Sequence, residues 1–235
     1  MGEFTVRNVR LEVPERLLDA RLREGLAAGR YEQAEAAALD DFLRPTDRVL
    51  ELGGGLGYLA VRAARIVGPG AVTVVEANPD LLPIIRANLL RNGAEGVRLI
   101  HGAAVADEMA DTEQELHVSG GFWGGSLAPP DRRARRHKVP GRGLHALIRA
   151  AGATALIIDV EGAEEVLLAR PLPHGLRLVV LEVHPTRYPE STIAEMAATL
   201  AAAGLERRVR PWGRDVWVLE RPDRAAAETS ARRTG

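Results

Sequence analysis

Three groups of residues in this chain of 235 have types and spacings that could do chemistry. The first is the run Glu51-Leu-Gly53-Gly54-Gly55-Leu-Gly57, set between the apolar pair Val49-Leu50 and an amphipathic stretch from Tyr58 to Ile66. Glycines let a backbone turn tightly and approach a ligand with no Cβ in the way. Between a parallel strand and a helix, such a turn forms a nucleotide-type site outside the strand's carboxyl end. The second is Glu76, which ends the apolar run from Ala71 and lies 23 residues beyond Gly53, about where a ribose-binding carboxylate belongs. The third comprises two short segments, Asp159-Val-Glu161 and Glu182-Val-His184, each after an apolar run. Side chains two apart on a strand share a face. If these strands are neighbours, three carboxylates and an imidazole gather around one volume. That group can take the proton of an alcohol, a task suited to histidine near neutrality. It can equally hold a magnesium-like ion that acidifies a bound hydroxyl. The bland reading has Asp159 and Glu161 capping the next helix and His184 bonded in a loop ahead of Pro185.

Spacing separates the cofactors that a glycine turn can serve. The dinucleotide fingerprint G-x-G-x-x-G/A, counted from Gly53 and Gly55, puts its third small residue at Tyr58, a poor fit. An acid followed by glycines at every second position (Glu51, Gly53, Gly55, Gly57) resembles instead the first motif of S-adenosylmethionine-dependent methyltransferases. On this reading Glu76, with Ala77 and Asn78 behind it, meets the ribose. Gly102, Ala103 and Ala104, after the next apolar run, leave room for an adenine ring.

A more specific resemblance lies further on. Asp159-Val-Glu-Gly-Ala-Glu164, after an apolar strand and before a helix, resembles the signature of the FkbM-type methyltransferases. So do Gly29-Arg-Tyr31-Glu32, Val75-Glu76-Ala77-Asn78-Pro79, the glycine-serine segment near Ser126, and Leu181-Glu182-Val183-His184, in that order along roughly residues 29–219. The resemblance implies S-adenosylmethionine as cofactor, O-methylation of sugars or polyketides, and Tyr31 and Glu32 closing over the methionine end. Members commonly carry Asn at the place of Gly55, Asp at Glu51 and Lys at Ile157, so any charge pairing by that lysine is missing here. A requirement for a divalent metal stays open, as does the choice of proton acceptor between His184 and Asp159, with Glu161 and Glu182 orienting the base or holding an ion.

The elements that must position these residues alternate. Residues 1–13 read as one or two short strands, Pro14–Leu26 and Tyr31–Leu43 as helices. Strands then follow near 49–52, 71–76, 97–100, 155–159 and 176–182, with helices between them. A helix from Ser191, taken as its cap, runs to Ala203, and two late strands near 205–209 and 216–219 form a hairpin. Residues 105–141 interrupt this rhythm. They read as an irregular substrate-facing insertion, carrying acids, then Phe122 and Trp123, then the basic run Arg132 to Lys138. That run is either an anion grip or a solvated face. The expected fold is α/β, a doubly wound Rossmann-like methyltransferase sheet of seven strands, mostly parallel with an antiparallel C-terminal hairpin, flanked by helices. Residues 1–44 are expected to pack over the cofactor site, 45–220 to form the core, and 221–235 to be a flexible tail.

Composition removes several classes. Formal charge is −1, so no global field points to nucleic acid or a membrane. There is no cysteine, which removes disulfides, thiolate metal sites and a cysteine nucleophile, and fits a cytoplasmic setting. No apolar run approaches membrane-spanning length. The expected partner is a small-molecule acceptor. An NAD(P)-dependent oxidoreductase is disfavoured by Tyr58 and by the lack of a Tyr-x-x-x-Lys pair. A nucleic-acid methyltransferase is disfavoured by the absence of an Asn/Asp-Pro-Pro-Tyr/Phe motif at Asp159. The same motifs would also serve a methyltransferase acting on protein, or a non-catalytic module that only binds the cofactor.

Overall fold

The computed structural model describes residues 1–118, 125–126, 135–160, 162–208 and 215–222. The chain opens with a hairpin, β1 (Gly2–Val6) and β2 (Val9–Val13), followed by α1 (Ala20–Ala27) and α2 (Gln33–Phe42). Next come β3 (Val49–Leu52), α3 (Tyr58–Val67), β4 (Val72–Glu76), α4 (Leu82–Arg91) and β5 (Arg98–His101). Four short strands and a helix interrupt: β6 (Ala103–Val105), β7 (Glu113–Val118), β8 (Gly125–Ser126), β9 (Arg135–Gly143) and α5 (Leu144–Ala151). The chain closes with β10 (Ala155–Ile158), α6 (Glu164–Leu167), β11 (Leu178–Glu182), α7 (Glu190–Ala202), β12 (Glu206–Arg208) and β13 (Val216–Glu220).

The main sheet has seven strands in the order β5-β4-β3-β10-β11-β13-β12. The first five are parallel, and β13 enters antiparallel between β11 and β12. The expected doubly wound sheet with its antiparallel C-terminal hairpin is what forms. Burial on both faces explains the valine- and leucine-rich strands. Alternate residues feed two separate cores. Val49, Val74, Ile157 and Val180 face the layer of α2, α3 and α4, whereas Leu50, Val75, Leu156 and Val179 face that of α5, α6 and α7. Strand order reverses between β3 and β10, and in such sheets ligands bind outside the carboxyl ends of the strands at that point. No helix among the described residues is long and apolar enough to cross a membrane.

Four local expectations need correcting. The helix expected over Pro14–Leu26 is broken into a 3-10 turn at Glu15–Leu17 and α1, because Asp19 leaves helical geometry and its carboxylate accepts from the amide of Leu22. Ser191 does not cap α7. Pro189 occupies the cap position and makes no side-chain bond, leaving Ser191 inside the helix. The helix expected between the strands near 155–159 and 176–182 shrinks to the single turn of α6. The insertion is not irregular at its flanks: β7 and β9 pair antiparallel, with β6 and β8 completing a second sheet. Its acids and bases face each other there, Lys138 at 2.7 Å from Glu113 and Arg136 at 3.6 Å from Glu115, while Arg135 reaches Asp80 at 2.9 Å. For residues 135–138 this favours the solvated-face reading over an anion grip. Phe122, Trp123 and the start of the basic run lie outside the described residues, as does all but the first two residues of the tail.

Candidate functional site

A cavity of about 1160 Å³ opens at the carboxyl ends of β4, β3, β10 and β11. Gly53, Gly55, Glu76, Ala77, Asn78, Gly102, Ala103 and Ala104 line one part of it, and Asp159, Glu182 and His184 another. Tyr31, Glu32 and Glu35 come in from the α2 side. Strand alternation accounts for the grouping. Glu51, Glu76 and Glu182 have the parity of the residues packed under α2–α4, and Asp159 continues that parity one step past β10.

The glycine turn fits tightly between these parts. Gly53 has φ +89°, and a side-chain carbon there would collide with the carbonyl oxygen of Asp159. That contact joins the turn to the end of β10, whose ladder with β3 extends through the Asp159 amide to the Leu52 carbonyl at 3.0 Å. A side-chain carbon on Gly55 would stand 2.9 Å from the Tyr31 hydroxyl and 3.2 Å from Glu32 Oε1. Tyr31 and Glu32 therefore meet the glycine turn, and Glu32 also takes the cap position of α2. Glu32 holds a left-handed conformation with φ 45°, which costs a non-glycine residue energy unless its surroundings enforce it. The ring of Tyr31 rests edge-on against buried Tyr58, centroids 5.8 Å apart.

Glu76 is buried and already engaged. One carboxylate oxygen accepts from the amides of Gly54 at 2.9 Å and Gly55 at 3.3 Å, the other from Asn78 at 2.6 Å. Asn78 in turn accepts from the amide of Asp80. Glu51 is 1% exposed, and its Oε2 has no hydrogen-bond partner among the described residues. Burial, then the charges of Glu76 and Asp159, push the Glu51 carboxyl well above the usual range. Burial also raises Tyr31, Glu32 and Glu76, the last partly offset by its backbone bonds.

On the other side, ligand atoms of Asp159, Glu182 and His184 all lie within 4.8 Å of one another, a spacing that a single cation could bridge. His184 Nε2 stands 3.9 Å from Asp159 Oδ1, and its Nδ1 lies 2.7 Å from Glu164 Oε1. The expected gathering of Asp159, Glu182 and His184 is present, while Glu161 lies outside the described residues. The bland reading has His184 satisfied in its loop; in the structure its Nδ1 meets Glu164 at the start of α6. Sequence reasoning missed Glu35 and Glu164. Glu35 follows Glu32 by one turn of helix with no apolar partner to mark it, and Glu164 closes a motif already singled out.

The comparisons with known proteins bear on this two-part site. A family model described as Protein-L-isoaspartate(D-aspartate) O-methyltransferase (PCMT) matches residues 30–110. Among similar proteins is the ribosomal protein L11 methyltransferase of Symbiobacterium thermophilum, 35% identical over 107 residues, which are 43% of this chain and 34% of that protein. Protein-L-isoaspartate O-methyltransferase 1 of Archaeoglobus fulgidus is 48% identical over 61 residues, 26% of this chain and 28% of that one. A solved methyltransferase from Pyrococcus furiosus superposes with a TM-score of 0.46 at 14% identity, over 91% of this chain and 88% of that one. The chain spans about a third of the length of the two curated relatives. The seven-strand sheet is doubly wound and Rossmann-like. The family-model match takes in the glycine turn and Glu76 and stops well short of Asp159, Glu182 and His184.

Glu35 supplies a pH signature. Its burial, reinforced by the charge of Glu182, pushes its carboxyl from an ordinary 4.5 up to about 7. The folded protein then binds more protons than the unfolded chain between these values, so stability must fall as pH rises through that window. The shift corresponds to about 3 kcal/mol at most. Glu35→Gln should flatten the dependence and raise the melting temperature above pH 7. Equal melting profiles for both proteins from pH 5 to 8 would show that Glu35 titrates normally.

Proposed function

We propose that this chain is an S-adenosylmethionine-dependent methyltransferase acting on a hydroxyl of a small molecule of sugar or natural-product type. The observation that carries the reading is the single cavity lined both by the glycine turn with Glu76 and by the Asp159, Glu182 and His184 group. Two features support the fit of the cofactor. The buried Oε2 of Glu51, without a partner among the described residues, lies near the strand end under the turn, and the glycine cradle would be filled by any side-chain carbon at Gly53 or Gly55. The carboxyl groups of Glu32, Glu35, Glu76, Asp159 and Glu182 on the cavity wall also offer acceptors to a ligand carrying an ammonium.

When bound, S-adenosylmethionine supplies an electrophilic methyl group on a good leaving group. The chain itself must hold that ligand, align an acceptor oxygen and manage one proton. Glu76 lines the cavity beside the glycine turn, and its carboxylate, held by the amides of Gly54, Gly55 and Asn78, is the acceptor presented to the ribose hydroxyls. Ala77, Asn78, Gly102, Ala103 and Ala104 wall the adenine side, and Tyr31 and Glu32 close the methionine end. On the acceptor side His184 Nε2 takes the hydroxyl proton, with Asp159 and Glu182 orienting the acceptor. A second reading, favoured by the 4.8 Å grouping, has Asp159, Glu182 and His184 hold a divalent ion that acidifies the acceptor.

The acceptor class rests on the FkbM-type motif Asp159–Glu164 and on Leu181–His184. The named relatives act, by their names, on proteins, but the family-model match ends at residue 110, short of the acceptor side. A thermal-shift panel tests the cofactor class. S-Adenosylhomocysteine should raise the melting temperature, by the equivalent of about 2.7 kcal/mol at a hundredfold excess over its dissociation constant, while NAD(H) should not. Stabilisation by NAD(H) alone would overturn the reading. A methyl-transfer screen over sugars, polyketides, phenols and isoaspartyl peptides then tests the acceptor. Turnover confined to the peptides would replace the small-molecule class.

A further inference from the structure

Glu164 is fully buried and engaged on both carboxylate oxygens. Oε1 stands 2.7 Å from His184 Nδ1, and Oε2 accepts from the amide of Gly162 at 2.9 Å and from the hydroxyl of Tyr188. Two donors converge on Oε2 and a ring nitrogen faces Oε1, and hydrogen bonds of this kind favour the ionised carboxylate. An ionised carboxylate only accepts hydrogen bonds. The nitrogen facing it must therefore carry the imidazole's hydrogen, which leaves the lone pair of the neutral ring on Nε2. That nitrogen is the one directed toward Asp159 at 3.9 Å.

We propose that Glu164 is a positioning residue that fixes the tautomer and orientation of His184 and braces the end of β11 against the turn after β10. The inference deepens the functional reading and rests on His184 Nε2 as the group that meets the acceptor. The brace is local in sequence on one side and distant on the other. Gly162 and Glu164 belong to the segment that begins with Asp159, while His184 and Tyr188 follow β11. One side chain thus sets both the direction of the Nε2 lone pair and its distance from Asp159. Tautomer control of this kind governs the Ser-His-Asp hydrolases, where a carboxylate orients the histidine without itself taking the proton. It serves ligation of an ion equally, because a metal also needs the neutral nitrogen lone pair.

The isosteric change Glu164→Gln discriminates sharply. A carboxamide has one acceptor oxygen, and two donors, the Gly162 amide and Tyr188 hydroxyl, compete for it against one from His184. With the oxygen turned to the pair, the amide group faces His184 Nδ1, which must then accept, and the ring hydrogen moves to Nε2. Long-range proton–nitrogen NMR on the protein bound to S-adenosylhomocysteine should show the Nδ1–H form for wild type and the Nε2–H form for the variant. Turnover should fall on the order of 10²-fold or more, with KM for the acceptor and affinity for S-adenosylhomocysteine little changed. Tyr188→Phe, which leaves the carboxylate in place, should keep the wild-type tautomer. A wild-type spectrum with hydrogen on Nε2 overturns the proposal whatever the variants do. So does a folded Glu164→Gln protein with wild-type turnover, or one whose loss lies in cofactor affinity alone. The NMR readout is independent of methyl transfer. A protein that shows the tautomer switch but methylates no hydroxyl therefore fails the functional reading only.

Discussion

His184→Ala and Asp159→Asn should each cut methyl-transfer turnover by about 10²-fold or more, with affinity for S-adenosylhomocysteine retained. The expectation follows from their shared position. His184 and Asp159 line the cavity at the ends of adjacent parallel strands, 3.9 Å apart, whereas the amides of the glycine turn are held by Glu76. A residue that only shaped the cofactor pocket would raise the dissociation constant of the cofactor instead. Isothermal calorimetry beside steady-state kinetics separates these outcomes. Near-normal turnover in both variants would leave alignment as the mechanism and remove the assignment.

Chelation and metal-binding measurements decide between the two ways of handling the proton. Three ligand atoms within 4.8 Å could bind an ion, and three side chains facing one acceptor could do without it. If an ion is required, a chelator should abolish activity and magnesium or manganese restore it. In that case Asp159→Asn and Glu182→Gln should weaken metal binding measured by calorimetry with no cofactor present. If the imidazole acts directly, activity should survive the chelator and fall as pH drops and the ring takes a proton. Chelator-resistant activity together with an inert His184→Ala substitution would sink both.

How far the sequence could carry these assignments depends on whether the relevant contact is local. The glycine turn was legible because strand, turn and helix are contiguous and each has its own period. Glu76 was legible through its distance from Gly53. The gathering of Asp159, Glu182 and His184 needed one further assumption, that their strands are neighbours, which the doubly wound order supplies. Glu164 was not legible in its role, although its motif was read, because its partners His184 and Tyr188 lie 20 and 24 residues further on. The strands β7 and β9 were hidden for a similar reason. Glu113-Gln-Glu-Leu-His-Val looks like an acidic loop until Arg136 and Lys138 arrive across the ladder. The broken first helix was a different failure. Asp19, three residues before Leu22, is a local cap signal that the leucine spacing overrode.

Glu76→Ala should weaken S-adenosylmethionine binding roughly ten- to hundredfold for each charged hydrogen bond lost to the ribose, taking about 1.5–3 kcal/mol per bond. The structure makes the effect larger than a ribose contact alone would. The same carboxylate holds the amides of Gly54, Gly55 and Asn78, so alanine would also leave three donors of the turn without their acceptor. Those amides shape the loop that the proposed cofactor would lie against. Glu76→Gln separates the two contributions. Glutamine keeps one acceptor oxygen, enough to hold the amides of Gly54 and Gly55, but presents an amide group to Asn78 and lacks the charge. Calorimetry should therefore place Glu76→Gln between wild type and Glu76→Ala, and hydrogen exchange at residues 53–57 should quicken in the alanine variant well beyond the glutamine one. If Glu76→Ala binds S-adenosylmethionine as wild type does, Glu76 is only a brace for the turn and the ribose assignment fails.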